Sequence, residues 1–227
     1  MRRVGIITAL ASEARTVRVA GSGAEILIKV AGPGPRNAKA ATEELVAEGV
    51  DGIMSWGVAG GLIEALNPGS LVIGESVEGA HSSALPCDDT WQNALTRELA
   101  HFSPHTGHVY SVDAPLKNER VKQGLHSRTR AAIVDMECAT IAKVANDHGL
   151  AFATLRSIVD PVSFELPDAA ASALSESGSP RLGAMIGNLI KKPSDVRELI
   201  VLGWWYRQAL SSLRDAARVL SPSFALP

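Results

Sequence analysis

Apolar positions fall into two rhythms along the chain. Short continuous apolar runs, as buried strands carry, stand at Val4 to Ala9, Ala24 to Ala31, Gly52 to Trp56 and Leu71 to Val77. Further runs stand at His108 to Val112, Ala131 to Val134 and Ala151 to Val159. Between them the spacing turns helical. Ser12 predicts an N-cap for a short helix to about Val19. Asn37 to Glu48 carries Ala41, Leu45 and Ala47, and helices are also predicted at Trp91 to His101 and Asn118 to Leu125. Met136 to His148 reads as a helix ended by Gly149. Gly32-Pro33-Gly34-Pro35 and Asn67-Pro68-Gly69 break the pattern, and Gly79 to Asp89 reads as polar and irregular. This alternation predicts an α/β fold: a single domain over residues 1–227, with a central mixed β-sheet flanked by helices.

The last third has a different texture. Residues 161–180 are rich in Pro, Ser and Ala and read as a mobile loop, followed by C-terminal helices over 181–220, Arg181 to Lys191 and Ser194 to Leu220. In the second, Leu199, Leu202, Tyr206, Ala209, Leu213, Ala216 and Leu220 form one helical stripe. Ile200, Val201, Trp204 and Trp205 lie beside or off it, so the first half is apolar around most of its circumference. A core or dimer-interface helix accounts for this. So does an apolar surface which, with Lys191, Lys192 and Arg197 nearby, suits a membrane interface.

Composition narrows the classes. With 46% hydrophobic and 20% charged residues, 227 residues can bury a sizeable core. A net charge of −2 with both signs interspersed argues against nucleic acid as a partner. Two cysteines, Cys87 and Cys138, lack metal-ligand spacing, which fits a reduced, cytoplasmic setting without disulfides. Thr8, Ser12, Glu13 and Arg15 interrupt the first apolar run, so it reads as a strand rather than a leader. His105-Thr106-Gly107-His108 has no companion Cys, Asp or Glu cluster, and no metal is expected.

The candidate chemistry is carboxylic. Glu13, Glu137 and Asp160 each follow a predicted strand, and open α/β sheets bind ligands at the carboxyl ends of their strands. A common sheet edge would gather the three. Carboxylates there can donate a proton, accept from sugar hydroxyls or orient water. The plainer reading is a capping or dipole-complementing group in a first helical turn. Gly57-Val58-Ala59-Gly60-Gly61 likewise reads either as a backbone that lets a ligand approach closely or as a tight turn.

Five segments, in order over about residues 4–160, resemble 5′-methylthioadenosine/S-adenosylhomocysteine nucleosidases of the nucleoside phosphorylase type. They are Gly5-Ile6-Ile7-Thr8-Ala9-Leu10-Ala11-Ser12-Glu13, Gly57-Val58-Ala59-Gly60-Gly61-Leu62 and Ser111-Val112-Asp113-Ala114-Pro115-Leu116. The others are Val134-Asp135-Met136-Glu137-Cys138-Ala139 and Arg156-Ser157-Ile158-Val159-Asp160. The tail from Leu182 to Leu220 is similar to that of hopanoid-associated phosphorylase-like proteins, thought to remove adenine from adenosylhopane. The resemblance implies cleavage of a purine–ribose bond without metal or cofactor. Asp160 would protonate the leaving purine and Glu13 would hold the attacking water. The implied substrate-binding set is Glu137 and Met136 at the ribose, Asp135 beside them, Val58, Ala59 and Gly60 lining the pocket, and Pro115 and Leu116 at the base.

The departures from the pattern shape the expectation. Val58 replaces a Ser or Thr that helps bind phosphate, and Thr8 to Glu13 stands where phosphorylases carry a glycine-aspartate loop. Hydrolysis is therefore expected over phosphorolysis. Val159 replaces a serine beside the acid, and Pro115 replaces an aromatic over the base. The expected substrate is a small-molecule nucleoside with a large apolar 5′ group, taken by a homodimer in the cytoplasm, with peripheral contact at the inner membrane face. The rivals are a phosphorylase, a methylthioadenosine/adenosylhomocysteine nucleosidase, and a catalytically silent nucleoside-binding protein.

Overall fold

The computed structural model describes residues 2–17, 23–80, 82–167, 170, 195–221 and 223–227. β1 (Arg2–Thr8) lies between β2 (Ala24–Val30) and β3 (Gly52–Gly61), parallel to both. β3 runs parallel to β8 (Ala151–Asp160), β8 pairs antiparallel with β4 (Leu71–Gly79), and β4 runs parallel to β6 (His105–Ser111). β6 pairs with β7 (Ile133–Asp135), and β7 returns antiparallel onto β3 through Gly60↔Val134 and Gly61↔Ile133. The mixed sheet thus closes on itself as a ring of β3, β8, β4, β6 and β7, with β1 and β2 extending it. β5 (Ser82–Pro86) adds an antiparallel edge to β4.

Helices cover both faces. Ala59, Val72, Val109, Ile133 and Ile158, one from each ring strand, are buried in one cluster with Ala38 and Leu45 of α2 (Pro35–Ala47) and Cys138 and Ile141 of α5 (Cys138–Asp147). Met54, Trp56 and Leu155 pack oppositely, with Trp91 of α3 (Asp89–Glu98) and Leu213 and Ala217 of α6 (Asp195–Leu220). Each Val, Leu, Ile or Met among them contributes about 1.5–3 kcal/mol by leaving water. The two buried indoles keep their polar ends satisfied: Trp56 Nε1 donates to Thr16 Oγ1 at 2.8 Å, and Trp91 Nε1 to the Phe224 carbonyl at 2.8 Å.

Local chemistry sets the helix ends. Asp88 accepts from Trp91 N to cap α3, and Asn118 from Val121 N to cap α4 (Glu119–Thr129). Four sequence expectations are corrected. α1 (Ala11–Ala14) starts after Leu10, so Ser12 is inside the turn rather than its cap. Gly57 to Gly61 is not a loop, because β8 alongside supplies partners as far as Gly60 and β3 continues as strand. β5 lies within the stretch expected to be irregular; its side chains are largely exposed, so no apolar alternation marks it. Met136 and Glu137 precede α5 instead of opening it. The helix expected at Arg181 to Lys191, and the 161–180 loop beyond residue 167 except Ala170, lie outside the described residues.

Candidate active site

Glu13 belongs to a single helical turn at the end of β1 and is 2% exposed. Its Oε2 accepts from the backbone N–H of Leu10 at 2.9 Å, which caps the turn, and its Oε1 accepts from Val58 N–H at 2.9 Å. The capping role and the placement against β3 therefore coexist in one carboxylate. From outside, Ser12 Oγ shares a 2.6 Å hydrogen bond with the Tyr206 hydroxyl of α6. Burial pushes the Glu13 pKa up, against the opposing pull of Arg156 and of the backbone N–H groups that it accepts from.

Gly57 separates Glu13 from Arg156. A Cβ there would stand 2.6 Å from Glu13 Oε1 and 2.6 Å from Arg156 Nη1, so only glycine lets the two groups approach across the strand. Arg156, on β8, is itself buried. Its Nη2 donates to Ser55 Oγ at 2.7 Å, Asp135 Oδ2 at 2.5 Å and Cys138 Sγ at 3.1 Å. Asp135 is fully engaged within the protein. Its Oδ1 accepts from Ser111 Oγ at 2.6 Å, and its Oδ2 also accepts from Cys138 N–H at 3.0 Å, which caps α5.

Glu137 follows two residues later and is buried. Its Oε1 accepts from Gly34 N–H at 2.8 Å, and Gly34 takes φ +93°, a conformation that suits glycine, to present that donor at the start of α2. Burial first, and the charge of Asp135 next, push the Glu137 pKa up to about 7, with Arg156 opposing. Glu13, Asp135 and Glu137 thus share one guanidinium. β7 helps bring this about by running antiparallel to β3, with Gly61 opposite Ile133 and Gly60 opposite Val134, before the chain reaches Asp135 and Glu137. A row of parallel strand ends, as expected from sequence, does not explain it.

Asp160 is reached by another route. Ala59 pairs with Ile158 and Gly60 with Asp160, so Val159 is an extra, bulged residue that re-aims the end of β8. The Asp160 oxygens lie 3.2 and 3.3 Å from where a Gly60 side chain would begin. Val58, which holds Glu13, is two residues away, about 7 Å along the strand. The cation facing Asp160 is Lys122 of α4, not Arg156. Lys122 is completely buried and donates to Asp160 Oδ2 at 2.6 Å, Pro161 O at 2.9 Å and Phe164 O at 3.2 Å. Burial pushes the Asp160 pKa up, and the Lys122 charge and hydrogen bond oppose it.

The remaining expected residues surround this strand tip. Ala59 and Gly60 are buried, while Val58, Met136, Pro115 and Leu116 are half-buried. Leu116 packs on a small cluster of Leu62, Leu125, Ala131 and Val134. The segment after Asp160 is tied back over the 115–117 stretch by Leu166 N–H to Lys117 O at 2.7 Å. It also stacks Phe164 edge-on against Trp205 of α6, with centroids 4.8 Å apart. Sequence reasoning missed Lys122, Gly34 and the central place of Arg156. The available signals were a lysine three residues before Leu125 on a helix, and a lone charge in an otherwise apolar strand. Among the described residues no group of three or more His, Cys, Asp or Glu side chains is arranged to hold a metal, and no helix is long and apolar enough to cross a membrane.

The model of the phosphorylase superfamily matches residues 9–190, and the chain belongs to that superfamily. No curated protein matches it by sequence. Solved structures share the fold at low identity. Futalosine hydrolase of Helicobacter pylori is 18% identical, with 84% of this chain and 98% of that one covered and a TM-score of 0.67. The 5′-methylthioadenosine/S-adenosylhomocysteine nucleosidase of Neisseria meningitidis, solved with methylthio-immucillin-A, is 17% identical over 97% and 99%, with a TM-score of 0.71. The nucleosidase of that name from Helicobacter pylori, solved with butyl-thio-DADMe-Immucillin-A, is 17% identical over 96% and 98%, with a TM-score of 0.68.

Proposed function

We propose that this protein hydrolyses the N-glycosidic bond of an adenosine-type nucleoside and releases adenine. The observation that carries the reading is the clustering of two buried glutamates, Glu13 and Glu137, beside Arg156 at the glycine-rich tip of β3. Glu13 orients the water that attacks the anomeric carbon. Glu137 accepts from the ribose hydroxyls, with Met136 against the sugar. Asp160 delivers the proton to the purine ring nitrogen, and Val58, Ala59, Gly60, Pro115 and Leu116 shape the cavity. Asp135 serves by fixing Arg156 and α5 rather than by touching the substrate, since its oxygens are already occupied.

Water is favoured over phosphate by charge. Glu13, Asp135 and Glu137 all interact with Arg156, and a phosphate dianion would compete with them for that one cation. For the 5′ substituent we favour a large apolar group, with adenosylhopane as the substrate and hopanoid synthesis as the setting. Val196, Ile200 and Trp204, at successive four-residue steps on α6, are 44%, 69% and 65% exposed, and the next residue, Trp205, contacts the segment after Asp160. Such a strip suits a greasy substrate carried at the inner membrane face by a cytoplasmic homodimer. The test is adenine release from adenosines with 5′ groups of increasing apolar length, with and without phosphate. Phosphate-independent release that improves with apolar length is expected. Ribose 1-phosphate as product would refute hydrolysis, a preference for methylthioadenosine would refute the large substituent, and adenine binding without turnover would refute catalysis.

A further inference from the structure

We propose that Lys122 is a positioning residue that acts through Asp160, holding the proton that Asp160 passes to the departing purine. The inference rests on the reading above, in which Asp160 is the acid. The geometry is specific to an ammonium group. Lys122 has three N–H donors, and three acceptors receive them: Asp160 Oδ2, Pro161 O and Phe164 O. The side chain is 0% exposed, so the cation has no water to turn to. Two of its acceptors are carbonyls of the segment that follows Asp160, so one group fixes the acid and the chain beyond it together.

This changes the proton accounting. Taken as an ion pair at rest, Lys122 Nζ and Asp160 Oδ2, 2.6 Å apart, hold between them the one proton that Asp160 passes on. As the C1′–N9 bond breaks, its electron pair moves onto the purine, whose ring nitrogen becomes basic. A proton passes from Lys122 Nζ to Asp160 Oδ2 while Asp160 supplies one proton to that nitrogen. Neutral Lys122, an Asp160 carboxylate and a neutral purine remain. The water oxygen bonds to C1′, and its proton goes to Glu13. The Asp160 carboxylate left beside a neutral amine is an uncompensated buried charge, which draws a proton back onto Lys122 once the products leave.

The experiment compares two leaving groups in the wild type, Lys122→Met, Lys122→Arg and Asp160→Asn. Adenine leaving from an adenosine-type substrate needs a proton, and 4-nitrophenolate leaving from 4-nitrophenyl β-D-ribofuranoside does not. Lys122→Met and Asp160→Asn are expected to lose about 10²-fold or more on the purine substrate and less than about fivefold on the nitrophenyl riboside. Lys122→Arg keeps the charge but does not release a proton; it is expected to show the same selective loss, and, its fold checked by a thermal melt, it decides the matter if Lys122→Met fails to fold. Parallel losses on both substrates would make Lys122 merely structural and overturn the proposal. Full purine cleavage by Lys122→Arg would overturn it equally. A wild type that frees no adenine refutes the functional reading itself, and an Asp160→Asn variant with unchanged adenine release refutes its choice of acid.

Discussion

Replacing Gly57 by alanine asks whether the tip of β3 is built around a missing side chain. The new Cβ would stand 2.6 Å from both Glu13 Oε1 and Arg156 Nη1, and 2.9 Å from Glu13 Cδ. Unstrained contact between heavy atoms starts near ~3.5 Å, so one or both groups must retreat by about 0.9 Å. Neither is free to do so. Glu13 is held by the N–H groups of Leu10 and Val58, and Arg156 by Ser55, Asp135 and Cys138. Overpacking of this kind costs about 1–3 kcal/mol, which lowers Tm by roughly 2–12 °C in a chain of this size. If Glu13 orients the attacking water as proposed, displacing its carboxylate by nearly 1 Å costs about 10²-fold in rate. The expected result is a folded Gly57→Ala protein whose kcat for adenine release falls about 10²-fold, read from initial rates by chromatography beside a thermal melt. A variant within about threefold of wild-type kcat would show that Glu13 and Arg156 do not need their present approach, and the site derived from it would fail.

Other consequences follow from the buried charges. Glu137 binds its proton more tightly in the folded chain, at about 7 against an ordinary 4.5. Its contribution to stability is therefore fully present below about 4.5 and is lost as pH rises through about 7. Glu137→Gln should flatten that loss, worth at most about 3 kcal/mol, in urea melts at a series of pH values; equal pH slopes in the two proteins would contradict it. Asp135→Asn leaves Arg156 buried against a neutral amide and should cost about 3–5 kcal/mol of stability, and a loss below about 1 kcal/mol by denaturant titration would show that the pair is dispensable. Tyr206→Phe removes the hydrogen bond to Ser12. It should lower stability by about 1 kcal/mol and kcat several-fold, whereas an unchanged kcat would uncouple α6 from Glu13.

Much of the fold was legible because buried strands and amphipathic helices leave strong periodic marks. β1, β4, β8, α6 and the first half of β3 were each readable from their own segments. β5 was not, since an exposed edge strand has no apolar face to show, and its pairing with β4 is a tertiary choice. Closure of the sheet was also hidden, because it depends on two residue pairs, Gly60↔Val134 and Gly61↔Ile133, between segments more than seventy residues apart. The same two pairs bring the chain that leads to Asp135 and Glu137 against the tip of β3. At the site, the carboxylates could be picked out as acids after strands, but their partners could not. Arg156 reads as a surface charge until Ser55, Asp135 and Cys138 close around it, and Lys122 sits beside Val121, which is 45% exposed while the lysine is buried. Which of two adjacent residues faces inward on a short helix is decided by the acceptor that waits for it, here Asp160.

The C-terminal helix is the element that joins these separate pieces. Glu13 and Asp160 depend on different strands and different cations, and inside the sheet β3 relates them, since Val58 N–H holds Glu13 and Gly60 pairs with Asp160. Two consecutive residues of α6 add a second link from outside the sheet. Tyr206 holds Ser12, next to Glu13, while Trp205 stacks on Phe164, whose carbonyl receives the Lys122 ammonium that pairs with Asp160. Neighbours on a helix point about 100° apart, so a single turn can reach to either side of the strand tip. The apolar strip of Val196, Ile200 and Trp204 occupies the preceding turns of the same rigid rod. Whatever covers that strip therefore acts on a helix that touches the neighbours of both residues, the one assigned to water and the one assigned to proton transfer.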